Sequence, residues 1–503
     1  MAHQAEKLAW NIVVQNLDYY SLEHPEQPRA SNLFFPPPLG AEQSKVVRAF
    51  AASFSRTLTE QISLERAKYQ ESYDPPNEDD LIIDDATARR ISPTVAERTY
   101  IFHEDMHSTN ALSWEPCHHT SGKHTRFDYE NWNEHDEDSS EDDDGDHTED
   151  FTFNCKCALP LRERKAHSFL RQYRPNGCYE FYALNEAAYF NIHVVKALLV
   201  RGEMEPVLRV CSHPNVDYWK WQNMRECECM DEQLGWDRLY ILALRAYLTL
   251  NILYRFLPAL QSQSQEEVVG GKKEQKYDYR NTELYQRMLY ECTREFGDEV
   301  ASLPHKQFFG IPDEHYHESL YVTRDVAGEW PILAEARVQS GFTKSFKARP
   351  RTVEFWEEVF SSPWRVDGRI ESSEFPFGCI PFDVFLNCGY YEIKYLPHET
   401  EVAEVWSILR TRARLPDEIT LLIMEFAGYS GRRRSLPIAH DPLNPANKEE
   451  LERYLDECWG ILVRCGMFAE ALGHPIDWEG QVTPMLRMML TGPNFEMIDI
   501  WRY

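Results

Sequence analysis

Between residues 447 and 475 apolar side chains recur every three or four positions: Leu451, Tyr454, Leu455, Cys458, Leu462, Cys465, Phe468 and Leu472. That spacing places all of them on one stripe of a helix about seven turns long. A stripe of that length is hidden only by packing it against other elements. Asn447, with Glu450 three residues on, has the pattern of a capping box, and Gly473 followed by Pro475 supplies a stop. A chain that contains this element is built largely by helix packing.

Other segments repeat the pattern. Residues 41–70 carry Val46, Val47, Phe50, Phe54 and Leu58 at helical spacing, and residues 186–201 place Ala187, Phe190, Val194, Ala197 and Leu198 on one face. Residues 236–257 read as a further helix. The apolar stretch 239–260 matches a bilayer in length, but Arg245, Asn251 and Arg255 would each have to sit in hydrocarbon, so a buried helix is expected and no membrane contact. The fold class that follows is mainly α, a multi-lobed helical protein with a few short strands, one of them at residues 389–395. With 503 residues the chain exceeds the size of one ordinary core. The expected division is an N-terminal helical unit over 1–73, a connector and loop region over 74–160, and a central helical domain over 161–260. A polar linker with Gly270-Gly271 over 261–276 then leads into a C-terminal α-rich region over 277–503, holding helices at 415–428 and 448–472. Residues 74–85, with Pro75-Pro76 and an acidic cluster, read as an exposed connector.

Charge excludes some partners. The formal net charge is -29, from 53 Lys and Arg against 82 Asp and Glu, a balance that repels nucleic acid and anionic membranes. Residues 134–150, EHDEDSSEDDDGDHTED, hold 11 acidic residues and no apolar one. Nothing in that insert could be buried to offset the entropy of ordering it, so it is expected to be disordered. Residues 1–9 lack the apolar stretch of a secretory signal, and the 12 cysteines form no disulfide framework, which together point to reduced thiols in the cytoplasm or nucleus.

Two patterns could carry metal chemistry. His103-Glu104-Asp105-Met106-His107 has the H-E-x-x-H spacing, in which two imidazoles on one helical face hold zinc and the glutamate activates water. The flanking residues make no long amphipathic helix, and an ordinary turn accounts for the same residues. Cys155 and Cys157, and Cys227 and Cys229, form C-x-C pairs near further cysteines and histidines. Zinc is the cofactor such clusters would hold, although structural zinc more often uses C-x-x-C knuckles, and cysteines packed singly against apolar neighbours are the other reading. No phosphate-binding glycine loop and no G-x-S-x-G elbow occurs in the sequence.

The segment Leu415-Pro416-Asp417-Glu418-Ile419-Thr420-Leu421-Leu422-Ile423-Met424-Glu425-Phe426 resembles the opening of an F-box, whose Leu-Pro-x-Glu-Ile start leads into a helix. The resemblance implies docking on a Skp-type adaptor of a cullin ubiquitin ligase, through Leu415, Pro416, Ile419, Leu422, Ile423 and Phe426. It covers about fifteen residues, and the Ser-Val-Cys stretch and tryptophan of the motif's second half have no counterpart in SGRRRSLPIAHDPLNP. From the residues alone this is a Pro-initiated helix with an apolar stripe, and exposure of that stripe separates adaptor docking from core packing. The longer pattern from LPDEITLLIMEFAGY through DPLNPANKEELERYLDECWGILVRC to ALGHPIDWE resembles segments of a filamentous-fungal protein family. That likeness implies two helices joined by a proline-rich crossing and packed as one unit, with no activity attached. The expected function is a non-enzymatic interaction or regulatory protein, and the alternative is a zinc-dependent enzyme or zinc-stabilised protein.

Overall fold

The computed structural model describes residues 7–24, 27–35, 41–99, 116, 157–171, 181–216, 235–264, 278–293, 299–310, 377–378, 382, 399–426 and 441–490. Among the described residues stand thirteen α-helices and one two-stranded sheet, so the mainly α expectation holds. In chain order they are α1 (Trp10–Val14), β1 (Asp18–His24), β2 (Gln27–Phe34), α2 (Ala41–Arg66), α3 (Asp85–Thr99), α4 (Ala166–Phe169), α5 (Phe181–Arg201), α6 (Met204–Cys211) and α7 (Asp237–Ser264). There follow α8 (Glu283–Thr293), α9 (Glu299–Phe309), α10 (Glu399–Thr411), α11 (Asp417–Phe426), α12 (Lys448–Ala471) and α13 (Trp478–Met489). The acidic insert, the strand expected at 389–395 and all of the linker beyond Ser264 lie outside the described residues.

The helix expected at 448–472 is α12, and its start differs from the capping-box reading. Asn447 makes no side-chain cap; its amide donates to the Asp441 carbonyl at 2.7 Å. Asn444 instead accepts from the Ala446 N–H at 3.0 Å and opens a short 3-10 turn, Pro445–Asn447, that runs into the helix. Pro445, with its φ preset, starts the turn early and draws Asn447 inside it. The C-terminal end is as expected. Gly473 has φ +75°, its N–H bonds the Glu470 carbonyl at 3.0 Å, and the His474 N–H bonds the Ala469 carbonyl at 2.9 Å, the paired bonds of a Schellman stop.

The stripe of α12 is buried from Leu451 to Phe468 against α7 and α2, while α13 packs on α2. Trp459 is the centre of this contact: its ring centroid lies 5.6 Å from Phe54 of α2 and 5.2 Å from Tyr247 of α7. Trp10 of α1 joins the same aromatic group through Phe50 at 4.8 Å. Helices α2 and α12 meet closely at Gly466, where a Cβ would stand 2.2 Å from the Ile62 Cδ1. In α5 the single apolar face read from sequence is corrected: residues 188–200 are buried on every side, Asn191, His193 and Lys196 included. Helix α7 is enclosed as expected as far as Leu253, beyond which Tyr254 is exposed, and the Arg245 Nη1 pairs there with Glu291 of α8 at 2.7 Å. No helix among the described residues is long and apolar enough to cross a membrane.

The hairpin β1–β2, antiparallel from Asp18 opposite Phe34, was not legible in the sequence. Its second strand ties together segments far apart in the chain. Asn32 Oδ1 accepts the Leu284 N–H at the start of α8 at 3.0 Å, Ser31 N–H donates to the Gly378 carbonyl at 3.0 Å, and Phe35 N–H donates to the Leu490 carbonyl at 3.1 Å. Gly378 N–H in turn donates to Gln286 Oε1 at 2.8 Å. Gly378 has φ +75°, and a Cβ there would lie 2.7 Å from both the Glu283 nitrogen and the Ser31 oxygen. Both neighbours are backbone, so Gly378→Ala is expected to cost roughly 2–4 kcal/mol in urea unfolding, read as a lower midpoint. An unchanged midpoint would show that residue 378 does not sit against β2 and α8.

Residues 74–84 are largely exposed, as expected, but they are stitched down rather than free. The Ile82 and Ile83 N–H groups bond the Arg164 carbonyl at 3.0 and 3.1 Å, and Ala166 N–H bonds the Asp80 carbonyl at 3.0 Å. Arg164 is fully buried and holds the same stretch from within, its Nε donating to the Ile83 carbonyl at 2.9 Å and its Nη2 to Asp85 at 2.6 Å. Helix α11 packs on α10, and residues 427–440 of the proline-rich crossing expected between α11 and α12 lie outside the described residues.

Candidate interaction surface

Helices α10 and α11 form a hairpin with a tight corner. The Arg412 and Ala413 N–H groups both reach the Ile408 carbonyl, at 2.9 and 3.2 Å, and Leu415 N–H reaches the Leu409 carbonyl at 3.2 Å. Arg414 turns the chain in the left-handed region at φ 53°. Pro416 follows, its carbonyl accepting the Thr420 N–H at 2.9 Å as the first bond of α11. A proline here costs no hydrogen bond, because the first N–H groups of a helix have no partner within it.

Most of the hairpin faces outward. Among the described side chains, Thr420 and Met424 are the buried positions of α11, and Val405, Trp406 and Leu409 are half-buried in α10. Ile408 is 40% exposed, Ile419 44%, Leu421 55%, Leu422 48% and Ile423 39%. The Arg410 Nε bonds Asp417 Oδ1 at 2.8 Å, which marks one flank of the hairpin. Successive helical residues step by about 100°, so Ile408 of α10 and Ile419 and Ile423 of α11 share the opposite flank. Leu422 extends that row toward the outer edge. Single exposed apolar residues are ordinary, but a contiguous set on two adjoining helices marks a surface built to be covered.

The residues read from the F-box resemblance are thus gathered on one element: Leu415 is half-buried and Pro416, Ile419, Leu422 and Ile423 are exposed. Phe426 ends α11, and its side chain lies outside the described residues. Ile408, with the exposed charges Glu404 and Arg412, completes the surface and was missed in the sequence, although its signal was a spacing of four along residues 404–412. Leu421, also exposed, stands on the Asp417 side of α11. Of the candidate metal ligands, His103, Glu104, His107, Cys155, Cys227 and Cys229 lie outside the described residues, and Cys157 is buried. Among the described residues no group of three His, Cys, Asp or Glu side chains could hold a metal ion.

The interior carries titratable groups of a different kind. His305 of α9 is fully buried, with Nδ1 2.5 Å from the Tyr454 hydroxyl of α12. Burial, with Arg238 nearby, pushes the His305 pKa down to about 3, and burial holds the Tyr454 hydroxyl well above its ordinary range. Tyr454 therefore keeps its proton beside a neutral imidazole. Burial likewise pushes the Cys292 and Cys465 thiols up to about 12, which disfavours the reactive thiolate. A cavity between α7, α8 and α13, lined by Arg245, Thr249, Arg287 and Met488 among others, measures about 10 Å³, room for one water. These groups fit a closed interior, whereas the α10–α11 flank is exposed.

No curated protein and no solved structure matches the chain. Residues 11–494 match the fungal family described as Gramillins biosynthetic cluster protein GRA5. A match over nearly the whole length takes in the helical core and the exposed hairpin alike, and the chain belongs to that family.

Proposed function

We propose that this protein is a non-catalytic interaction or regulatory component serving a fungal biosynthetic gene cluster, with the α10–α11 hairpin as its docking element. The observation that carries the reading is the outward row of Ile408, Ile419, Leu422 and Ile423 on a two-helix arm. Covering such side chains contributes roughly 25 cal/mol for each Å² removed from water, and apolar anchors of this kind dominate the energetics of helical docking. The family membership supports the biosynthetic setting. The F-box-like start at Leu415-Pro416 supports a Skp-type adaptor as one rival for the occupant of this surface.

The test is genetic and chemical. The chromosomal gene is replaced by one encoding Ile419→Asp with Ile423→Asp, and the cluster's metabolite is measured by mass spectrometry beside a deletion strain. The reading expects the metabolite to fall to the level of the deletion strain while the protein's abundance holds. Wild-type output from the double variant would overturn the docking role.

A further inference from the structure

We infer that the apolar flank of the hairpin is covered by a second copy of this chain, the two α10 helices crossing antiparallel about a two-fold axis at Ile408. The inference rests on the reading that the hairpin is the docking element, and it names the occupant.

Three exposed residues carry it, two on α10 and one in the turn that follows its end. Glu404, Ile408 and Arg412 follow one another at intervals of four, and the Arg412 N–H bond to the Ile408 carbonyl at 2.9 Å keeps that last turn helical. All three therefore lie along one face. The acid and the base stand at equal distances on either side of the isoleucine, and neither forms an ion pair with a described residue. Arg410, by contrast, is already used within the hairpin by Asp417. In a two-fold contact, residue i of one copy meets residue j of the other and j meets i. With the axis at Ile408, Glu404 faces the second copy's Arg412, Ile408 faces its own equivalent, and Arg412 faces the second copy's Glu404. A partner of unrelated sequence gives no reason for this symmetry.

The flanking residues suit close approach. Ser407 and Thr411 are small and exposed, and the Thr411 hydroxyl is folded back onto the Ser407 carbonyl at 2.5 Å. Ile419 and Ile423 on the same flank extend the contact to α11, so that two hairpins close into a four-helix arrangement. Helices of 13 and 10 residues are only about 15–20 Å long. The contact therefore falls at the small end of specific interfaces, and a dissociation constant in the micromolar range is expected. The charge of -29 on each copy opposes association, and salt near 0.15 M screens it over about 8 Å.

The experiment measures the mass of the full chain by light scattering at rising concentration in such salt. The wild type is expected to pass from 59.1 kDa toward twice that mass. Glu404→Arg and Arg412→Glu should each remain monomeric, with melting temperatures like the wild type, since both positions are exposed. An equimolar mixture of the two variants should regain the dimer, because each copy supplies the charge the other lacks. A dimer that persists in both single variants, or a mixture that stays monomeric, overturns the two-fold contact. A wild type that stays monomeric also overturns it. If such a monomer binds a purified Skp-type adaptor through Ile419 and Ile423, the docking reading stands and only the occupant is wrong. If it binds neither and the metabolite is unaffected by Ile419→Asp with Ile423→Asp, both readings fall.

Discussion

Lowering the pH from 6.5 to 4 is expected to remove about 3 kcal/mol of folding stability through His305 alone. The imidazole is enclosed among helices, shares a hydrogen bond between Nδ1 and the Tyr454 hydroxyl, and among the described residues has no hydrogen-bond partner at Nε2. A second ring proton would add a charge without water and without an acceptor, and the pKa is lowered to about 3 as a result. The sign follows from the two states. The unfolded chain binds a proton below about pH 6.5 and the folded chain does not, so the stabilisation is complete above that value and is lost as the pH falls toward 3. His167, also lowered by burial, acts in the same direction. Glu457 and Glu470, raised by burial, act in the opposite one. The comparison with His305→Gln isolates the histidine: urea unfolding of the variant between pH 6.5 and 4 should lose about 1.4 kcal/mol per pH unit of slope. Parallel curves for the two proteins would show that His305 is solvated.

Trp459→Ala is expected to cost about 3–5 kcal/mol, because the indole is fully buried and its loss leaves a cavity among the rings it packs on. Its contacts with Phe54 and Tyr247 join α12 to α2 and α7, three helices drawn from near both ends and the middle of the sequence. The loss should therefore appear together in tryptophan fluorescence and in helical circular dichroism, as one transition at lower urea. A loss below about 1 kcal/mol, the range of ordinary surface changes, would mean that these helices do not share a core.

The parts of the fold that were legible in the sequence are those where local pattern and burial agree. In α12 the three-and-four spacing, Gly473 at the stop and the buried stripe all state one requirement, and the helix ends within a residue of its expected boundary. The helix starts where expected, but the capping side chain was misassigned because two asparagines stand three residues apart, and Pro445 selected the earlier one for the cap. Helix α5 was found but its environment was not. Periodicity reports the strongest face, and a helix enclosed on all sides hides Lys196 and His193 as thoroughly as Val194. The β1–β2 hairpin escaped because its ties run through main-chain groups and the Asn32 side chain to residues some 250 to 460 positions away, which no local pattern encodes. For the candidate surface, Leu415 to Ile423 were visible as a stripe. Their exposure was not, because an apolar stripe reads alike whether the next helix covers it or nothing does.

The most direct test of the central claim, that the hairpin flank is a docking surface and not a piece of core, is the thermal melt of the full chain carrying Ile408→Asp, Ile419→Asp and Ile423→Asp. Exposed substitutions of this kind are usually within about 0.5 kcal/mol each, so the melting temperature of the dilute protein should shift by no more than a few degrees. Three carboxylates forced into a packed interior would each cost several kcal/mol, and a fall of tens of degrees or a failure to fold would contradict the account.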